Sequence, residues 1–137
     1  MKILLVLFLA VCSFSAMGQE VVVKRVSDQA DEAVFELRLR PAGRQIIALE
    51  MNVFCVGGKV SAIRAGEVAE GANKVLVFGE KTGRLLIFGF GKVPLTSGTI
   101  AKITVRGIDI SGLSIKEGLA VNSGLEKLAL SVGRTEQ

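Results

Sequence analysis

The 137-residue sequence has no histidine, no tyrosine and no tryptophan, and only two cysteines and two prolines. Without an imidazole, neither Ser-His-Asp nor Cys-His nucleophilic chemistry can be assembled. Two cysteines and no histidine leave no donor set for a zinc site, and no aspartate-rich loop has calcium spacing. Asp28 and Asp31 read as a solvated turn. Glu67, Glu70 and Glu80 fall in or beside loops as scattered surface acids, not as a paired glycosidase dyad. The lack of tryptophan and tyrosine also removes the amphipathic rings that commonly stack on sugar faces. No run of like charge occurs, so nucleic acid is not expected as a partner. The chain therefore reads as a non-enzyme with no cofactor and no metal.

What is present begins with a leader. Lys2 precedes an unbroken apolar run from Ile3 to Val11, too short for the roughly 20 residues that span a bilayer. Ala16-Met17-Gly18 places small residues where a signal peptidase selects them. Residues 1–18 are therefore expected to be a cleaved signal peptide, and residues 19–137 a single domain beginning at Gln19. A rival lipoprotein reading, with Cys12 acylated, is disfavoured by the bulk of Val11. The expected location is secreted, periplasmic or at the cell surface, with no membrane insertion after cleavage. The 119 residues left are about the modal size of one domain. Their 16 basic and 13 acidic residues give a net charge of +3. Cys55 remains alone, as a small buried hydrophobe or as half of an intermolecular bridge.

Strand patterns fill the rest. Val21 to Val26 is a β-branched run ending at a polar turn. Phe35, Leu37 and Leu39 alternate with Glu36, Arg38 and Arg40, and Ile47, Leu49, Met51 and Val53 alternate with Ala48, Glu50 and Asn52. Gly57-Gly58 turns the chain into Lys59 to Arg64, and Ala65 to Asn73 reads as a loop too poor in apolar residues to form a core helix. Thr99 to Arg106 and shorter strands near Ile115, Leu119 to Val121 and Lys127 to Val132 complete the set. Eight or nine short strands with regular turn signals predict an all-β, two-sheet sandwich. Its core should hold Phe35, Leu37, Leu39, Leu49, Met51, Ile103 and Val105. The phenylalanines at 35, 54, 78, 88 and 90 sit in strand-like runs and are assigned to the core.

The order of these features resembles cohesin domains, the scaffold modules that dock dockerins. The resemblance rests on VVVKRV, FELRLR, IIALEMNVF followed by KVSAIRAGE, KVLVFGEKTGRLLIFGFG and LTSGTIAKITVRG, and covers Val21 to Val132. It departs from the common pattern at Cys55-Val56-Gly57-Gly58, where such domains carry an Asp-Pro turn. It implies a jelly-roll of about nine strands, related in fold to cellulose-binding modules, that acts by binding protein in assemblies that degrade polysaccharide. Direct polysaccharide binding is the alternative.

The hairpin from Lys74 to Phe90 carries the local evidence for a partner. A three-residue loop, Lys81-Thr82-Gly83, would pair Phe78 with Leu86 and Leu76 with Phe88, leaving both faces of the hairpin apolar. A two-layer sandwich needs one apolar face per sheet, so either the second face is covered by the C-terminal segment or the Ala65 to Asn73 loop, or the strands are central and simply over-hydrophobic, or a partner covers it. The expected partner-binding set is Glu50, Asn52, Leu76, Phe78, Leu86 and Phe88. The occupant would be a dockerin-like protein or a second copy in a homo-oligomer.

Overall fold

A computed structural model describes residues 18–132; the expected leader lies outside the described residues except for Gly18. The chain runs β1 (Glu20–Asp28), β2 (Glu32–Arg40), β3 (Ile46–Val56), β4 (Lys59–Ala65), helix α1 (Glu67–Gly71), β5 (Val75–Gly79), β6 (Arg84–Phe88), β7 (Gly98–Arg106), β8 (Gly112–Asn122), β9 (Lys127–Ala129) and β10 (Ser131–Val132). Two five-stranded sheets result, in the orders β10-β1-β2-β7-β4 and β5-β6-β3-β8-β9. The domain is an all-β sandwich of two sheets, as its strand pattern predicts.

Alternation explains why the sheets stack. Phe35, Leu37 and Leu39 from β2, Leu49 and Met51 from β3, and Ile103 and Val105 from β7 are all buried, in one cluster with Val21, Val23, Leu85 and Ile87. Each comes from an every-second-residue row, so each strand gives one face to the common core. At one end Arg25 closes the cluster. Its guanidinium carbon lies 5.4 Å from the Phe35 ring centroid and its Nη2 donates to Asp28 at 2.8 Å. The β3–β4 turn depends on Gly57, at φ 85°, because a β-carbon there would collide with the carbonyl of Asp109.

Four expectations change. The segment Ala65 to Asn73 contains α1, which buries Ala69 completely and is followed by the buried Ala72. One turn of helix needs no large side chain when it closes directly over a core. The two short strands expected near Ile115 and Leu119 are one continuous β8, whose register against β3 shifts between Glu50 and Asn52. Glu117, in that stretch, has φ 53°. The C-terminal strand divides, with β9 pairing β8 in one sheet and β10 pairing β1 in parallel in the other.

The fourth change is the hairpin register. Gly79 pairs with Arg84, so the loop is Glu80–Gly83, four residues, and Val77 faces Leu86 while Leu76 faces Ile87. Gly83 shows how the loop closes. It takes the expected left-handed conformation (φ 74°), its amide donates to the Gly79 carbonyl at 2.8 Å, and its carbonyl turns to β3, accepting from the Val53 amide at 2.7 Å. A one-residue slip reverses every side chain of a strand.

Candidate functional site

The two sheets differ on their outward faces. That of β10-β1-β2-β7-β4 is laced with ion pairs, Arg40 to Glu20 at 3.1 Å, Arg38 to Glu36 at 3.1 Å and Arg106 to Glu32 at 3.3 Å. That of β5-β6-β3-β8 is largely apolar. Its rows follow from the register. Val77 stands opposite Leu86, Leu86 opposite Glu50, and Glu50 opposite Leu119. In the neighbouring row Val75 stands opposite Phe88, and Ala48 opposite Val121. Val75, Val77, Phe88 and Leu119 expose between 37% and 51% of their surface. Such exposure in four adjacent large apolar side chains exceeds what scattered surface hydrophobes account for.

The polar groups in and around this patch are tied to one another. Arg84 forms an ion pair with Glu50. Asn52 donates from Nδ2 to Oε2 of Glu117 at 2.8 Å, and the Lys116 ammonium lies 5.7 Å from the centroid of the Phe54 ring. Between the rows lies a depression of about 320 Å³, lined chiefly by Glu50, Leu86, Phe88, Leu119, Val121 and Lys127. A largely apolar surface whose polar groups are paired with one another suits a protein interface.

The structure therefore brings Glu50, Asn52, Leu86 and Phe88 together on one outward face. It does not place Leu76 and Phe78 with them. Both are partly buried and packed against the core, because the four-residue loop turns them inward and turns Val75 and Val77 out. Val75, Val77 and Leu119 are the face residues that sequence reasoning missed. The first two would have followed from the correct loop length. Phe54, Phe88 and Phe90, assigned to the core from sequence, are exposed, Phe90 entirely, while Phe35 is buried and Phe78 is packed on the core.

A second depression, about 380 Å³, opens at the end of the sandwich between the hairpin loop and the β3–β4 turn. It is lined by Cys55 with Phe54, Lys59, Phe78, Glu80 and Lys81 among others. Burial pushes the Cys55 thiol above its ordinary range, against a smaller opposing effect of the nearby Arg25 charge. Such a thiol stays protonated and is a poor nucleophile at neutral pH. Among the described residues no group of three or more cysteine, aspartate or glutamate side chains could hold a metal ion. No helix among them is long and apolar enough to cross a membrane.

No protein-family model matches the chain, and no curated protein matches it. Several solved structures do. A non-cellulosomal cohesin from the hyperthermophilic archaeon Archaeoglobus fulgidus superposes with a TM-score of 0.64 at 6% identity, covering 84% of this chain and 86% of that one. The third ScaB cohesin of R. flavefaciens, solved in complex with a group 1 dockerin, gives 0.62 at 9% identity over 88% and 98%. A cohesin module from a family 33 glycoside hydrolase of Clostridium perfringens gives 0.61 at 12% identity over 88% and 97%. At such identities the shared property is the fold.

Proposed function

We propose that this cohesin-like sandwich is an exported, non-catalytic module that docks a protein partner on the outer face of the β5-β6-β3-β8 sheet. The observation that carries the reading is the contrast between two outward faces of one domain, one paired ion by ion, the other apolar at Val75, Val77, Leu86, Phe88 and Leu119. A solvated sheet of this size gains nothing from four exposed large hydrophobes unless something covers them. The fold relation adds a direction, since one of the similar structures is a cohesin held in complex with a dockerin. A dockerin-like protein is accordingly the partner of choice, ahead of a second copy of the chain.

Recognition would centre on Phe88 and Leu86, with Val75 and Val77 extending the apolar surface across β5. Aromatic side chains at the middle of such a patch commonly dominate binding energy. The ion pair of Arg84 with Glu50, which stands between Leu86 and Leu119, would set orientation. Catalysis has no part in this reading, because the sequence lacks histidine and its single mature cysteine is held protonated.

Export follows from the leader, with the mature protein starting at Gln19 and working outside the cytoplasm, in the company of polysaccharide-degrading proteins. Calorimetry against a panel of dockerin modules, with sedimentation of the domain alone, tests the reading. Binding of one dockerin that Phe88→Asp removes supports it. Self-association abolished by the same change would replace the dockerin with a second copy. A monomer that binds none, and whose secreted-protein partners are unaffected by Phe88→Asp, overturns the assignment of this face.

A further inference from the structure

The opposite side of the molecule holds the entire positive excess of the described residues. Across the outer face of β1, β2, β7 and β4, seven cations stand against three carboxylates, while the other described residues carry eight cations against nine carboxylates. Each of the three carboxylates is engaged: Glu20 by Arg40, Glu32 by Arg106, and Glu36 by Arg38 and by the Thr99 hydroxyl at 3.2 Å. Four cations on this face, Lys24, Lys59, Arg64 and Lys102, have no hydrogen bond or ion pair among the described residues.

Three of those four share one row. Lys24 is opposite Glu36, Glu36 opposite Lys102, and Lys102 opposite Arg64. At a strand spacing of about 4.8 Å the row crosses about 14 Å of the sheet. Its only carboxylate is drawn toward Arg38 and Thr99. Beside the row, a depression of about 270 Å³ is lined by Arg38, Arg40, Ser97, Thr99 and Glu67, among others, and is mostly polar.

We propose that this face binds an acidic polysaccharide, lying extended across β1-β2-β7-β4 with its anionic groups on Lys24, Lys102 and Arg64. Charge complementarity selects a polyanion, and a row that runs across four strands selects an extended one. The hydroxyl and guanidinium donors of the adjoining depression suit a sugar acid. A membrane surface is disfavoured because the large apolar side chains exposed on the described strands of this sheet are two valines, Val26 and Val132, with no aromatic ring or leucine to enter the headgroup boundary. Single-stranded nucleic acid would require aromatic platforms, and the exposed phenylalanines are Phe54 and Phe88 on the other sheet and Phe90 in the segment after its β6. A protein partner would require a desolvated apolar centre, which the other sheet has and this one lacks. Because the two faces point away from each other, polysaccharide and protein can be held at once.

Affinity electrophoresis of the full chain through gels containing polygalacturonate or chondroitin sulfate, with dextran as the neutral control, tests the proposal. The protein is expected to be retarded by at least one of the two acidic polymers and not by dextran. Raising salt from about 50 to about 200 mM should remove most of the retardation. The pair Arg64→Glu with Lys102→Glu should abolish it, whereas Lys116→Glu with Lys127→Glu, the same charge change on the opposite sheet, should leave most of it. Melting curves check folding, and Arg64→Gln with Lys102→Gln decides the matter if the reversals unfold. Passage through both acidic gels, equal retardation by dextran, or equal loss from the two pairs of reversals would overturn the proposal. So would tighter binding to phosphatidylglycerol vesicles, to oligothymidine or to an acidic protein than to either polymer.

Discussion

Asn52 donates to the carboxylate of Glu117 at 2.8 Å, tying the middle of β3 to the one residue of β8 whose backbone is left-handed. The bond crosses the register shift between the two strands, on the polar border of the apolar face. Two effects of similar size meet at Glu117. A non-glycine residue at φ 53° costs on the order of 1 kcal/mol, and an exposed side-chain hydrogen bond returns about as much. Glu117→Gly is therefore expected to change stability by less than about 1 kcal/mol, since it relieves the strain as it removes the bond. Glu117→Val, with a β-branched side chain in the same conformation, should destabilise by about 1 to 3 kcal/mol. Urea unfolding of both variants measures the difference.

The register of the β5–β6 hairpin makes opposite predictions for neighbouring residues. Phe88 and Leu86 point outward, so Phe88→Asp and Leu86→Asp should leave the melting temperature within a few degrees of wild type and weaken partner binding at least about tenfold. Leu76 and Phe78 pack on the core, so Leu76→Asp should unfold the domain or cost several kcal/mol. Scoring melting temperature and binding together separates the two faces. A folded Leu76→Asp protein with lost binding would return Leu76 to the docking face.

That hairpin also marks where the sequence stopped being legible. Alternation in Phe35 to Arg40 and Ile47 to Val53 identifies faces unambiguously, because polar and apolar residues segregate and any slip would bury an arginine or a glutamate. The core of β2, β3 and β7 was readable for that reason. Val75 to Phe78 and Leu85 to Phe88 are apolar at every position, so burial cannot distinguish one register from the next. The choice fell to loop length, and the loop's bond to β3, from Val53 to Gly83, is one that no local pattern reveals. Helix α1 escaped for a related reason, since Ala69 and Ala72 bury through close approach and leave no hydrophobic period. Glu50, Asn52, Leu86 and Phe88 were placed together from sequence because β3 alternates and follows a clear turn.

Gly57 limits the turn that closes β3 onto β4. At φ 85°, with the Asp109 carbonyl where a β-carbon would sit, Gly57→Ala suffers both backbone strain and a backbone clash. The expected cost is about 2 to 4 kcal/mol, compared with less than about 1 for Gly43→Ala, which shares a positive φ but has open space around it. Thermal denaturation of the two variants side by side tests whether the clash, beyond the dihedral, carries the effect. Equal losses would show that it does not.

Cys55 should behave as a sluggish thiol. Burial raises its pKa from an ordinary value near 9.0, so the thiolate is scarce at neutral pH. Reaction with iodoacetamide at pH 7 is expected to be at least several-fold slower than for an unfolded control, and to accelerate at higher pH than the control does. Unfolding in urea should remove the difference. Removal of Arg25 as Arg25→Met takes away the one charge that opposes the shift and should slow the folded protein's reaction further.

Lys74 gives the alkaline counterpart. The residue is 7% exposed, its ammonium donates to the Gly91 carbonyl at 3.0 Å, and burial lowers its pKa below the ordinary 10.5. The unfolded chain therefore binds the proton more tightly than the folded one. Stability rises with pH across the window from the folded pKa up to 10.5, and the penalty for charging the buried amine is present in full below that window. Lys74→Met removes the penalty and keeps the apolar stem, so at pH 7 the variant should be at least as stable as wild type. Its advantage should shrink as pH approaches 10.5. The lost bond to Gly91 acts on a different observable, because it anchors the exposed segment after β6. Limited proteolysis between Gly89 and Val93 should quicken in the variant even as its global stability holds, and a variant less stable than wild type at pH 7 would mean that the Gly91 bond outweighs the cost of burying the charge.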